Sequence, residues 1–218
     1  MYSRDYQGRT VTFEASGGLV NASLIMQDEQ TDTYWSIMEG KAVAGELSGE
    51  KLVELPVSEK IQWRHWREKH PDTLVLSVRG LEDGPDDYRD YFGSSRGFGG
   101  AEAKDDRLET KTPVFAFHRG TASYAVVQSS LEDGKVFLLE DGASVFLYRR
   151  KGSSMFHSTV AFVSSSGFER QDRVWVENGS RARFDETSGE FSGVESLGGF
   201  DTFWYNFSLN NPETLLLE

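Results

Sequence analysis

The sequence predicts a mainly β protein with a few short helices, built as two related halves of antiparallel sheet. Three observations lead to this prediction: short strand-like runs, glycine-containing turns between them, and a motif that occurs twice. Of the 218 residues, 38% are hydrophobic and 13% aromatic, which supplies enough apolar material for a packed core. We expect a single compact unit with a first half (1–80), a connecting loop (81–112) and a second half (113–218).

The first half begins with strand-like patterns. Val11, Phe13 and Ala15 alternate with polar residues, as in a strand that is buried on one face. Residues 24–26 and 34–38 are short apolar runs bounded by polar turns. We therefore expect three strands in this part of the chain.

A helix is predicted after these strands. Pro56 and Ser58 indicate its start, with Ser58 as the N-cap. Trp63, Trp66 and His70 follow at spacings that place them on one helical face. The first half should thus carry a short aromatic-faced helix.

Proline ends this helix. Pro71 cannot continue a helical hydrogen-bond pattern, and residues 73–76 then form an apolar, strand-like run. We predict a short buried strand there, so that the first half ends in a helix followed by a strand.

The connecting loop is rich in Gly, Asp and Ser and has no periodicity. It nevertheless contains four aromatic residues: Tyr88, Tyr91, Phe92 and Phe98. Because aromatic side chains favour burial, we expect the loop to pack onto the body of the protein.

The second half reads as a series of short strands at regular spacing. The strand-like runs are residues 114–117, 124–127, 136–139, 145–148, 159–163 and 173–176. The dipeptides Asp133-Gly134, Asp141-Gly142 and Asn178-Gly179 are of the kind that forms hairpin turns. This pattern is typical of a meander or a sandwich-like sheet.

One sequence motif occurs in both halves. Residues 45–49 (GELSG) return as 189–193 (GEFSG), at an offset of 144. Trp63-x-x-Trp66 returns as Trp204-x-x-Phe207, and residues 70–76 return as 211–217, both at an offset of 141. Two copies of one unit would pack as a pseudo-symmetric pair.

The second copy predicts a stronger helix than the first. Phe200, Phe203, Trp204 and Phe207 form an apolar stripe at helical spacing, and Asp201 is a good N-cap. We therefore expect this half, too, to end in an aromatic-faced helix and a strand.

The repeated aromatic positions are the candidate ligand-binding residues. Trp63, Trp66, Trp204 and Tyr205 could stack on sugars, aromatic ligands or a partner chain if a groove exposes them. A shared core between the two helices explains the same residues more simply.

Charge limits the partners. The chain has 23 basic and 35 acidic residues, a net charge of −12, which disfavours nucleic acid and anionic membranes. No run of 18 apolar residues predicts a membrane-spanning helix, and the polar start is unlike a signal peptide, so the cytoplasm is the default location. We expect no nucleic-acid binding and no membrane insertion, and keep a protein partner or self-association open.

The sequence resembles a family of prokaryotic proteins known as domain of unknown function 3179. The likeness is carried by residues 16–35, 40–49, 63–66, 70–74 and 88–93, and by 106–108 with 111–114. It implies a β-rich fold and, often, export from the cell, and it implies no activity. A Cys-Pro-x-Cys element of the family would precede residues 1–7, and this chain has no cysteine, so the resemblance implies a shortened or diverged member.

No catalytic motif stands out. Gly-x-Ser-x-Gly and phosphate-loop patterns are absent, and His118 and His157 are isolated in sequence. We therefore predict a non-catalytic binding or assembly module, with no cofactor and no metal. Two alternatives stay open: a hydrolase or metal-dependent enzyme with an acidic and histidine-containing site between the halves, and a structural subunit of a polymeric or surface assembly.

Overall fold

The computed structural model describes residues 1–55, 60, 62–76, 88–155 and 157–218. Strands dominate these residues and the helices are short, so the mainly β fold class is confirmed. Almost all strand pairs are antiparallel, as the turn-rich sequence predicts.

Six strands lie in the described residues of the first half. They are β1 (Asp5–Tyr6), β2 (Arg9–Thr10), β3 (Phe13–Val20), β4 (Ser23–Asp28), β5 (Tyr34–Ser36) and β6 (Lys41–Ala44). The last four form an antiparallel meander in chain order. Its core centres on Trp35, which is fully buried and packs with Ala42 and Leu52.

Trp35 is held by a buried carboxylate. Its indole Nε1 donates to Asp28 Oδ2 at 2.8 Å, and the backbone N–H groups of Gln30 and Thr31 donate to Asp28 Oδ1. Burial alone would raise the pKa of Asp28, but these hydrogen bonds hold it below its ordinary value. The acidic turn after β4 is thus part of the core of this sheet.

Twelve strands lie in the part of the second half that the structure describes. They are β7 (Pro113–Arg119), β8 (Ala122–Val127), β9 (Lys135–Leu138), β10 (Ser144–Tyr148), β11 (Val160–Ser164), β12 (Phe168–Gln171), β13 (Val174–Glu177), β14 (Phe184–Asp185), β15 (Glu190–Phe191), β16 (Glu195–Ser196), β17 (Phe200–Phe203) and β18 (Leu215–Leu217). All six strand-like runs of the sequence coincide with strands. Asp141-Gly142 joins β9 to β10 as predicted, whereas Asp133-Gly134 precedes β9 without joining two paired strands.

Two four-stranded sheets form the centre of the second half, with orders β17-β7-β8-β18 and β16-β11-β10-β9. Phe115 and Phe117 of β7 face Val145 and Leu147 of β10 in one buried cluster. Because side chains alternate along a strand, Val114 and Ala116 point to the opposite face of the first sheet. The two sheets therefore pack face to face, and each has a second buried face.

Different elements cover the outer faces. The helix α3 (Trp204–Asn210) covers the first sheet, while the β12–β13 and β14–β15 hairpins cover the second. The hairpins supply Phe168, Phe184 and Phe191 around Phe146 of β10. The second half is thus a layered core of helix, sheet, sheet and hairpins.

Three helices are present in the described residues: α1 (Trp63–Lys69), α2 (Arg89–Gly93) and α3 (Trp204–Asn210). The predicted helix start at Pro56 and Ser58 lies outside the described residues. The predicted N-cap at Asp201 is wrong: Asp201 is extended in β17, where pairing with β7 keeps it out of the helix, and α3 starts at Trp204.

The two copies of the helix motif have the same local structure. α1 and α3 each contain seven residues, and the residues that follow, His70 and Asn211, share φ −132° and ψ 74°. The next segments differ, because 215–217 form β18 in parallel with β8, whereas 73–76 form no strand. The predicted buried strand at 73–76 is therefore wrong, since no sheet edge lies beside it in the described structure.

The GELSG and GEFSG segments also differ. Residues 45–49 form a turn after β6, whereas 189–193 include strand β15. The equivalence of the two complete halves stays a prediction; the local match is between the helices and the turns that end them.

The described part of the connecting loop packs onto the second half. The Tyr91 hydroxyl lies 3.1 Å from that of Tyr205, and the Lys111 ammonium lies 4.1 Å from the centre of the Tyr91 ring. Gly97 is required here, because a Cβ at this position would come within 2.5 Å of the Tyr205 ring. Packing of the loop is thus confirmed for Tyr91, whereas the other three aromatic residues stay exposed: Tyr88 by 64%, Phe92 by 44% and Phe98 by 53%.

Candidate functional site

A cleft lies between α1 and the second half on the described surface. It encloses about 1150 Å³. Its walls come from Lys60 and α1, from residues 148–153 and 157–162, and from the turn between β14 and β15. We call it the basic cleft, after its six basic lining residues: Lys60, Arg64, Lys69, Arg150, Lys151 and His157.

The charge of the basic cleft contrasts with that of the whole chain. Its lining includes five Lys or Arg residues and four Asp or Glu residues, whereas the chain has 23 and 35. The acidic residues lie mainly on the β14–β15 side, and Arg150 is held there by donating to the Glu186 carbonyl at 3.0 Å. The lining of the cleft therefore has one more basic than acidic residue, on a chain that is acidic overall.

A buried ion pair lies beneath the cleft. Arg149 Nη1 is 3.1 Å from Asp201 Oδ1, and both side chains are at most 4% exposed. Gln128 Nε2 donates to the same Asp201 oxygen at 2.7 Å, and the Thr159 backbone N–H donates to Asp201 Oδ2 at 2.8 Å. The carboxylate is thus surrounded by donors, as a buried charge requires.

Arg149 also fixes one wall of the cleft. Its guanidinium donates to the carbonyl oxygens of Ser154 and His157, both at 2.7 Å. Because those residues belong to the loop that follows β10, the buried Arg149 holds the loop that presents Arg150 and Lys151. Arg149 therefore holds in place the backbone that carries Arg150 and Lys151.

Lys60 closes the cleft from the first half. Its carbonyl accepts from the Ser158 backbone N–H at 2.7 Å, and its own N–H donates to the Ser158 hydroxyl. Burial lowers the pKa of Lys60 below its ordinary value; the charge of Arg149 acts in the same direction, and that of Asp201 opposes it. The Lys60 ammonium is thus close enough to Arg149 and Asp201 for their charges to affect its pKa.

The four candidate ligand-binding residues predicted from sequence are not brought together. Trp63 is 48% exposed, and Trp66 is half-buried with its Nε1 donating to Thr73 Oγ1 at 2.9 Å. Trp204 and Tyr205 are buried, and Trp204 Nε1 donates to the Asp105 carbonyl at 2.9 Å. None of the four lines the basic cleft. Ligand binding by these residues stays a prediction, and it is independent of the cleft.

The two isolated histidines have separate surroundings. His118 Nε2 lies 3.1 Å from Asn211 Oδ1, and His157 Nδ1 lies 3.1 Å from Ser154 Oγ. Since Asn211 Nδ2 donates to the Phe207 carbonyl, Asn211 Oδ1 is an acceptor and His118 must donate from Nε2. Across the part of the chain that the structure describes, no three His, Asp or Glu side chains converge as a metal site would require.

Sequence reasoning missed the residues of the cleft. One signal could have found them: Arg149-Arg150-Lys151 is a run of three basic residues in a chain of net charge −12. Asp201 gave no such signal, because an acidic residue just before an apolar helical pattern is the usual mark of an N-cap.

Within the described residues, no helix has the length and apolar character needed to cross a bilayer.

Comparison with known proteins gives one match. Neither a curated protein nor a solved structure matches the chain. A family model described as protein of unknown function (DUF3179) matches residues 1–214, nearly the whole chain. The chain therefore belongs to the DUF3179 family, as its motifs indicate.

Proposed function

We propose that the protein is a non-catalytic binding module that takes a small organic anion, carrying phosphate or carboxylate groups, in the basic cleft. The observation that carries this proposal is that five Lys or Arg side chains meet on one concave surface of a chain with net charge −12, while three of the four acidic lining residues lie on the β14–β15 side. An acidic protein repels anions in general, so the wall of the cleft where basic side chains predominate favours anion binding at that place.

The surroundings of the charges support an anionic ligand. Ser153 adds a hydroxyl group that can donate to phosphate or carboxylate oxygens, whereas the hydroxyls of Ser158 and Thr159 already donate to the Lys60 carbonyl and to Asp201. Tyr148 and Phe162 add apolar area at the floor. A ligand with both an anionic and an apolar part would use all of these groups.

Titration calorimetry with charge-reversal variants tests the proposal. The probes are pyrophosphate and citrate, with maltose as the neutral comparison. Arg64→Glu and Lys151→Glu should each weaken anion binding at least roughly tenfold, which corresponds to about 1.4 kcal/mol. Binding should also weaken as salt rises, because exposed charges are screened.

Arg9→Glu is the matched control, since Arg9 is exposed on β2 and makes the same change of net charge away from the cleft. It should leave binding within about twofold, which is well under 1 kcal/mol. Equal losses in the control and the cleft variants would reject the cleft as the site, and so would equal binding of maltose.

Catalysis at the same place is the second candidate function. It is favoured by one observation: Lys60, with its lowered pKa, lies between the halves beside the Arg149–Asp201 pair and close to the His157 loop. An amine with a lowered pKa has a larger unprotonated fraction near neutral pH, and only the unprotonated form acts as a base or nucleophile. This matches the alternative of an acidic and histidine-containing site between the halves.

Amine labelling distinguishes this candidate. With limiting acetic anhydride near neutral pH, Lys60 should acetylate faster than the exposed Lys104, as read by peptide mass spectrometry. Slower labelling of Lys60, together with no turnover of ester or phosphoester substrates, would leave the binding module as the better account.

A further inference from the structure

The strands β1 to β6 form a unit that has few hydrogen bonds to the second half. We call residues 1–55 the N-terminal unit. Between the described residues, the hydrogen bonds from this unit to residues 88–218 all come from one side chain: Asn21 Nδ2 donates to the Leu209 carbonyl at 3.0 Å and lies 3.4 Å from Asn210 Oδ1. In the described structure, no strand of the unit pairs with a strand of the second half. The backbone hydrogen bonds of the N-terminal unit are therefore independent of the second half.

One face of the sheet β3–β6 is turned away from the core of the N-terminal unit. Trp35 packs in that core, and side chains alternate along a strand, so Ser36 points to the opposite face. Ser36 pairs with Ile25 of β4, which places Ile25 and Ser23 on this opposite face as well. These three residues are at most 4% exposed. A part of the molecule outside the Trp35 core must therefore cover them.

The helix α3 covers this face. Met38, which follows β5 closely, packs with Trp204 and Phe207 of α3, and Asn21 contacts the end of the same helix. In the apolar cluster beneath α3, the N-terminal unit contributes Met38 and the partly buried Ile37, and the other members belong to residues 103–216. The apolar part of this interface is therefore small. Units that meet through small or polar interfaces are expected to move relative to each other.

Polar groups without a partner lie along the same interface. In the part of the chain that the structure describes, four buried side-chain polar atoms make no hydrogen bond: Ser23 Oγ, Ser36 Oγ, Glu54 Oε1 and Asn206 Oδ1. Asn206 lies one helical turn before Asn210, on the side of α3 that Asn21 contacts. Glu54 lies beside the second half, since a Cβ on Gly198 would come within 3.5 Å of Glu54 Cδ. Interfaces that stay closed normally pair such groups.

We propose that the N-terminal unit opens away from α3 as a folded body and closes again, so that the side of α3 carrying Asn206 and Asn210 is reached by solvent. Opening lets water hydrate the unpartnered hydroxyl and amide groups, which offsets part of the cost of exposing Met38 and Ile37. Because no backbone hydrogen bond crosses the interface between the described residues, both bodies keep their sheets when they separate.

Thiol labelling tests the opening. The chain has no cysteine, so Ser36→Cys and Ser23→Cys each place a single thiol in the interface, at hydroxyls that have no partner to lose. Ser208→Cys is the matched control: Ser208 is 4% exposed, and the helical period places it on the opposite side of α3 from Asn206 and Asn210. With a disulfide reagent at a single pH, each interface thiol should react at least roughly tenfold faster than the control thiol, a difference of about 1.4 kcal/mol.

Hydrogen exchange in the same proteins shows whether both bodies stay folded. In the Ser36→Cys protein, the backbone amides of β4, β5, β7 and β8 should remain protected during the time in which the thiol reacts. Circular dichroism of all three cysteine variants should stay that of the wild type. Interface thiols that react no faster than the Ser208→Cys thiol would overturn the proposal, and so would loss of protection in these four strands.

A substitution at Asn21 tests which contact holds the closed form. Asn21→Asp removes the Nδ2 donor and keeps a residue type that tolerates the φ of 50° found there. In the Ser36→Cys background it should accelerate labelling at least roughly tenfold. Asn178→Asp, the same change at an exposed position after β13, should leave the rate within about twofold. Equal rates in the two variants would show that Asn21 and α3 do not separate, which contradicts the opening.

Discussion

The α1 region and the α3 region carry the same motif, but the first is largely exposed and the second is buried. Each has a seven-residue helix that ends in the same backbone conformation before a proline turn. Trp204 is fully buried against β7 and β8, whereas Trp63, its counterpart in the repeat, is 48% exposed. The three leucines of 215–217 complete a sheet, and the apolar residues 74–76 face solvent.

This difference separates local from tertiary causes. Helix length and the turn after it follow from nearby sequence, because both depend on residues within one or two turns. Burial depends on a neighbouring sheet, and only the second half has β7 and β8 beneath its helix. The same apolar stripe is therefore core in one place and surface in the other.

The largest expected effect is on the buried member of the tryptophan pair. Trp204→Ala should lower the free energy of unfolding by about 3 to 5 kcal/mol, because it removes a fully buried indole and its hydrogen bond to Asp105. Trp63→Ala should change it by less than about 0.5 kcal/mol. Urea unfolding followed by circular dichroism measures both. Equal losses in the two variants would break the contrast between the regions.

A smaller effect is expected where the two regions meet. At the 141-residue offset, Asp201 corresponds to Lys60, and these two residues interact across the halves. Asp201→Asn should cost about 3 kcal/mol in the same urea experiment, because Arg149 would stay buried without its counter-charge.

Lys60→Met is the comparison for Asp201→Asn. It should cost much less, because Asp201 keeps its bonds to Arg149, Gln128 and Thr159. A loss for Asp201→Asn below about 1 kcal/mol would place the pair among weak surface ion pairs and remove its role beneath the cleft.

The smallest effect is a pH dependence that belongs to Lys60. Burial holds its pKa below the ordinary value of 10.5, so between the two values the unfolded chain binds more protons than the folded one. The Lys60 contribution to stability should therefore rise as pH increases through that window towards 10.5. The difference in unfolding free energy between wild type and Lys60→Met, measured at several pH values, should show this rise.

Lys104→Met, at an exposed position in the connecting loop, is the control for the pH series. Its difference from the wild type should stay flat with pH. If the difference in unfolding free energy between wild type and Lys60→Met also stays constant with pH, the Lys60 ammonium is solvated in the folded protein. That result would argue against a lowered pKa of Lys60 and against its role as a base or nucleophile.

The candidate site was less accessible to sequence reasoning than the fold. Strands β7, β8 and β10 are apolar runs, and each contains its predicted range. The basic cleft combines Lys60 and residues of α1 with residues 150–153 and 185–190, and no local sequence pattern links segments so far apart in the chain. The run Arg149-Arg150-Lys151 was visible, but not that Arg149 points inward to Asp201 while Arg150 and Lys151 face the cleft.

By itself, the sequence determined the β-rich class, the membership of the DUF3179 family, and the form of the two helix–proline units. Alternation, turn residues and helix-stopping prolines act over a few positions, so they can be read directly from the chain. Only the tertiary structure decided that Asp201 is a buried partner of Arg149, that Trp204 is core, and that 74–76 are exposed. These outcomes depend on which surfaces come into contact across distant parts of the chain. The free energy of burial arises when two surfaces exclude water from each other, so it cannot be read from either segment alone.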